Sequence, residues 1–80
     1  MLNLDTSIKG PMPEAAAKVK AFFGEHGLGL DLVNDSPGCL FFEGGGGFVN
    51  VNFCAEGHKT KLQFETREWE MQVKKFAQSL

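Results

Sequence analysis

Eighty residues suffice for one domain, near the lower end of what a single hydrophobic core sustains unaided. The net charge of −2, with the eight Lys and Arg scattered rather than clustered, argues against a nucleic-acid partner, whose binding rests on a basic surface neutralising phosphates. No stretch approaches the ~20 consecutive apolar residues that cross a bilayer. The opening Met1-Leu2-Asn3-Leu4-Asp5 has neither the basic nor the apolar segment of a signal peptide, so a soluble, cytoplasmic protein with no membrane partner is expected.

Leu2, Leu4, Thr6 and Ile8 alternate with Asn3, Asp5, Ser7 and Lys9, the period of a strand with one dry face. Gly10-Pro11-Met12-Pro13 interrupts it; Pro13 suits a first helical turn, and Glu14 complements the positive end of the helix dipole. Ala16, Val19, Phe22 and Phe23 then recur at helical spacing, which predicts a first helix over about 13–26, with Gly27 after His26 as its left-handed cap.

Four short strands are expected next, from Leu28 to Val33, Cys39 to Glu43, Phe48 to Cys54 and Lys59 to Thr66. The clusters between them, Asn34 to Gly38, Gly44 to Gly47 and Ala55 to His58, are turn formers, which predicts an antiparallel meander. Val49, Val51 and Phe53 oppose Asn50 and Asn52, while Leu62 and Phe64 join Thr60 and Thr66 against Lys59, Lys61, Gln63 and Glu65. One face of the sheet is therefore apolar and the other largely polar. Thr66 reads as the cap of a last helix with Glu68 and Glu70 early and Lys74 and Lys75 late. Trp69, Val73, Phe76 and Leu80 form its apolar stripe. The expectation is one α+β domain over 1–80: an antiparallel sheet of about five strands, order β-α-β-β-β-β-α, with two helices packed on one face.

Few residue patterns carry chemistry. The run Gly44 to Gly47 lacks the Lys-Ser/Thr pair and the helix of a phosphate loop, and Phe48-Val49-Asn50-Val51 makes it a hairpin instead. Cys54 and His58 have a spacing that could chelate, but Cys39 and His26 stand alone in sequence, so no metal and no cofactor is expected. Both cysteines are expected as buried free thiols. Ser7, Ser36 and Ser79 sit in no nucleophile signature, and Glu68 and Glu70, two apart on a helix, diverge; no catalytic residue is assigned.

Phe41 and Phe42 are adjacent in a strand and must point to opposite sides. With Phe48 on the Asn50 side of its own strand, Phe41 and Phe48 would place aromatic surface on the polar face. Two readings stand: an interface made by Phe41, Phe48, Asn50 and Asn52, or a bulge beside the glycines that returns one ring to the interior. Asn50 and Asn52, expected near Lys61 and Gln63, read either as a hydrogen-bonding row or as a solvated outer face.

The opening strand followed by Pro13-x5-Val19-x2-Phe22-Phe23, the Gly-rich hairpin, and Trp69-x3-Val73-x2-Phe76 on the last helix resemble a pared-down helix-grip protein, the group that includes polyketide cyclases and START-type lipid-transport proteins. The same order resembles one half of a TATA-binding-protein-like fold. Helix-grip proteins are longer and enclose a cavity between sheet and final helix. The resemblance implies that any pocket here lies between Trp69, Val73 and Phe76 and the strand residues Val51, Phe53, Leu62 and Phe64; the same seven residues also read simply as core. Two paired copies would restore a larger sheet. The function expected is a small non-enzymatic module that self-associates as a homodimer and binds a small apolar ligand or a protein partner. The alternative is a minimal helix-grip enzyme of cyclase or hydrolase type, with its site at a dimer cleft.

Overall fold

A computed structural model describes residues 1–80. The chain forms β1 (Leu2–Lys9), α1 (Met12–Phe23), β2 (Asp31–Ser36), β3 (Cys39–Gly44), β4 (Gly47–Glu56), β5 (Lys59–Arg67) and α2 (Glu70–Gln78). The five strands make one antiparallel sheet in the spatial order β1-β5-β4-β3-β2, so the first strand returns beside the last and the second closes the opposite edge. Both helices lie on the same face, α1 over β4 and β5 and α2 over β5 and β1. This is the α+β arrangement that the alternation and the helical stripes predict.

The core follows from the period of two. Val49, Val51 and Phe53 of β4 and Leu62 and Phe64 of β5 meet Val19 and Phe23 of α1 and Val73 and Phe76 of α2 in one buried cluster. Phe23 is its hub: its ring centroid lies 4.9–6.1 Å from those of Phe22, Phe42, Phe64 and Phe76. Aromatic pairs at such separations add to the area that they bury, which matters most in a chain this short.

Several boundaries differ from the sequence expectation, each for a local reason. The first helix ends at Phe23 rather than His26, because the Gly24 backbone turns extended (φ −80, ψ −161). The chain then folds back over the helix end: the amides of Leu28 and Leu30 donate to the carbonyls of Phe22 and Phe23, and the left-handed glycine is Gly29 (φ 81), not Gly27. Those bonds use the segment expected to open the second strand, so β2 begins at Asp31. Asn34, Asp35 and Ser36 then pair with Phe41, Leu40 and Cys39 despite their turn chemistry, leaving Pro37 and Gly38 as the turn. Ladder pairing overrides local preference here, as strand propensity generally allows.

Thr66 does not cap the last helix. It is the penultimate residue of β5, fully buried, and its hydroxyl donates to the Phe48 carbonyl at 2.7 Å. Thr60 is its counterpart at the other end of the strand, donating to the Gly10 carbonyl at 3.0 Å. A β5 side chain thus closes each end of the covered face, with no buried side-chain polar atom left unpartnered. Trp69 occupies the cap position of α2 instead. Its indole N–H donates to the Gly44 carbonyl at 2.9 Å, tying the helix to the β3–β4 hairpin.

The glycines of that hairpin have packing reasons that no local pattern reveals. A Cβ at Gly45 would lie 2.9 Å from the Trp69 ring, on a backbone already at φ +59. One at Gly47 would run into the Arg67 carbonyl and Glu68, where β5 turns into α2. Glu68 itself takes φ 74, the one non-glycine residue of the chain in the left-handed region.

Candidate interaction surface

Successive strand residues alternate sides, so the register determines the composition of the uncovered face. Its middle rows run Asn34, Phe41, Asn50, Glu65, Asn3 and Ser36, Cys39, Asn52, Gln63, Asp5 across the five strands. Phe41, Phe48, Asn50 and Asn52 all belong to this face, on two adjacent strands. Phe41 and Phe48 are diagonal neighbours there and stack, with ring centroids 5.6 Å apart and planes inclined by 19°. Both rings are half-buried.

The β3–β4 register is continuous from Cys39 to Gly44, so no bulge beside the glycines turns either ring inward. The bulge of this sheet lies elsewhere, in β2 between Leu32 and Asn34, and it leaves Val33 57% exposed. Asn52 stands directly opposite Gln63, whereas Asn50 stands opposite Glu65; Lys61 is the partner of Cys54 instead.

Neither cysteine is buried. Cys39 is half-buried and Cys54 exposed, both on the uncovered face, and the Cys39 thiol lies 3.6 Å from Asn50 Oδ1. Sequence reasoning missed them as surface residues although the signal was present: Cys39 alternates with Leu40 as Phe41 does, and Cys54 continues the Asn50–Asn52 side of its strand.

The charges of this face separate along the strands. Asp31, Glu43 and Glu65 lie toward the Gly45–Gly46 hairpin, with Arg67 among them; Lys9, Lys59 and Lys61 lie toward the Gly57–His58 hairpin, with Glu56 among them. One end is therefore net acidic and the other net basic, with the Asn52–Gln63 row between; the aromatic stack lies in the acidic half, Phe48 in line with Glu43 and Arg67 and Phe41 one row further in. The only ion pairs of the chain are Lys20–Asp35 at 2.8 Å and a loose Lys61–Asp5 contact at 3.9 Å, so most of these charges are free to meet others.

The seven residues that the helix-grip resemblance points to occupy the other side of the sheet. Val51, Phe53, Leu62, Phe64, Val73 and Phe76 are packed in the core, and Trp69 is half-buried against it. The principal clefts open elsewhere. The groove between the ends of α1 and α2, about 600 Å³, is lined by Phe22, Leu28 and Met71 with Lys74 and Lys75 at its rim. Of the seven, Phe53 borders an open cleft that it shares with Met12, Pro37 and Gly38. His26 follows α1 and His58 sits in the β4–β5 turn, both exposed, and no three His, Cys, Asp or Glu side chains cluster closely enough to hold a metal ion. No helix is long and apolar enough to cross a membrane. Compared with models of protein families, with curated proteins and with solved structures, the chain matches none.

Proposed function

We propose that this chain is a small non-enzymatic module that self-associates, and that its uncovered sheet face packs on the same face of a second copy. The observation that carries the reading is the half-buried Phe41–Phe48 stack, which lies in the acidic half of a face whose two ends have opposite net charge. A single copy leaves both rings partly in water. A second copy laid face to face, about 10 Å away, would bury them. Turned end for end about a two-fold axis lying across the strands, that copy sets its acidic end over the basic end of the first, and the reverse. Such an isologous contact needs one self-complementary patch, which this charge division supplies. Asn50, Asn52 and Gln63 then meet polar atoms across the interface rather than apolar ones, as an interface with a mixed centre allows.

On this reading Trp69, Val73, Phe76, Val51, Phe53, Leu62 and Phe64 are the scaffold that keeps the face flat and rigid. The β-α-β4-α order and the Trp-led last helix support a likeness to the helix-grip and TATA-binding-protein-like groups in topology, and pairing of copies is how so short a chain reaches a comparable layered size.

Light scattering at micromolar concentration tests the proposal. Phe48→Lys removes a ring of the stack and sets a cation at the acidic end, against the basic end of the partner; it is expected to halve the number of copies per particle, with the far-ultraviolet circular dichroism unchanged. The Phe48 carbonyl that accepts from Thr66 belongs to the backbone and is retained. A particle unaffected by Phe48→Lys, or a wild-type protein that stays strictly monomeric, would overturn it.

A further inference from the structure

The two edges of the sheet are not alike. An edge strand offers unpaired backbone groups to any passing strand, and proteins that must not pair there blunt the edge with bulges, prolines or inward-pointing charges. β2 has all three. Val33 bulges out of register, Pro37 ends the strand, and Asp35, opposite Leu40 on the helix side, is held by the Lys20 ammonium at 2.8 Å. β1 has none of them: its eight residues run in unbroken register against β5.

The outward groups of β1 can be assigned. The Gly10 amide donates to the His58 carbonyl at 2.9 Å, continuing the β1–β5 register by one pair. Hydrogen-bonded pairs alternate along an antiparallel ladder, so Ile8, Thr6, Leu4 and Leu2 bond to β5, while the amides and carbonyls of Lys9, Ser7, Asp5 and Asn3 face away from the sheet. On the helix side of the same edge, Leu2 and Leu4 pack against the core yet remain only half-buried.

We propose that β1 is a second self-association site, where the β1 of another copy adds antiparallel to it and makes one continuous ten-stranded sheet. Charge selects the register. Pairing centred on Asp5 would oppose two carboxylates, whereas pairing centred on Ser7 sets Asp5 of each copy against Lys9 of the other. The same addition covers the half-exposed Leu4 from the side. The edge uses backbone groups of β1 and the face uses side chains, so the two contacts can form together although Asp5 and Lys9 belong to both, and the two-fold axis of the edge is perpendicular to the one proposed above. Where both form and their axes intersect, four copies close into a particle with three mutually perpendicular two-fold axes.

Two variants test the edge. Ser7→Pro removes an amide hydrogen that β5 does not use, so the monomer keeps its ladder while the outer one loses a central donor. Lys9→Asp opposes Asp5 of the partner while facing Lys59 within its own sheet, and Asp5→Lys/Lys9→Asp restores unlike charges across the contact. By light scattering, with circular dichroism confirming the fold, Ser7→Pro and Lys9→Asp are each expected to halve the number of copies, and the double variant to recover it. Undiminished particle size in a folded Ser7→Pro protein, or no recovery in the double variant, overturns the proposal. The two contacts fail separately. If only the edge exists, wild type is a dimer that Ser7→Pro splits and Phe48→Lys does not; if only the face exists, the sensitivities are reversed.

Discussion

The two faces of this sheet are built from the same strands and obey different rules. On the helix side, large apolar side chains from β3, β4 and β5 meet both helices, and the few polar groups present are closed by hydrogen bonds such as Thr60 to Gly10 and Thr66 to Phe48. On the other side, amides, charges and two thiols surround one aromatic stack, and no element of the chain covers them. Burial without choice of partner defines the first face. The second has a mixed chemical pattern that no element of the chain covers.

Substitutions on the two sides should therefore separate stability from assembly, and urea unfolding at a fixed protein concentration measures the first. The largest loss is expected for Phe23→Ala, about 3–5 kcal/mol, since the cavity forms where four rings converge. Such a loss is comparable to the whole stability of a small domain, so the variant should be largely unfolded at modest denaturant. A wild-type-like midpoint would mean that the hub is not at Phe23.

Where α2 meets the hairpin, Gly45→Ala should cost more than Gly46→Ala. Both residues have positive φ, but only the first would also press a methyl group on Trp69. The difference should be about 1 kcal/mol; equal midpoints would remove the indole from its place over the hairpin. Trp69→Phe keeps the apolar body and leaves the Gly44 carbonyl without its donor, for a loss of about 1 kcal/mol.

Across the sheet, Phe48→Ala sacrifices one stacking partner and should destabilise an isolated copy by only about 1 kcal/mol, while reducing particle size as expected for Phe48→Lys. Cys54→Ser should be the mildest, within about 0.5 kcal/mol, because the thiol is exposed and its one contact is weak. A stability loss for Phe48→Ala as large as that for Phe23→Ala would erase the distinction between the faces.

Most of the covered face was legible from spacing alone. Val49, Val51 and Phe53, Leu62 and Phe64, and Val73 and Phe76 fall at periods that identify the buried side of a strand or helix, whatever the topology. The composition of the opposite face followed from the same alternation, including Phe41 and Phe48 on it. What spacing could not supply was which residues face one another there, since stacking of Phe41 on Phe48 depends on the β3–β4 register. The thiols were misplaced because a cysteine carries no polarity signal strong enough to override its general preference for the interior.

By itself, the amino-acid order determined the number and type of elements and the side on which each large side chain lies, because periodicity is local and survives any arrangement of the strands. Only the tertiary structure decided the neighbours. It set β1 beside β5 and left β1 as an open edge, moved the start of β2 past the folded-back end of α1, and took Thr66 from a helix cap into the sheet. It also made Gly45 and Gly47 obligatory through Trp69 and the β5–α2 corner. Each of these depends on atoms distant in the chain meeting in space, where ladder hydrogen bonds and close packing outweigh the preferences of any short segment.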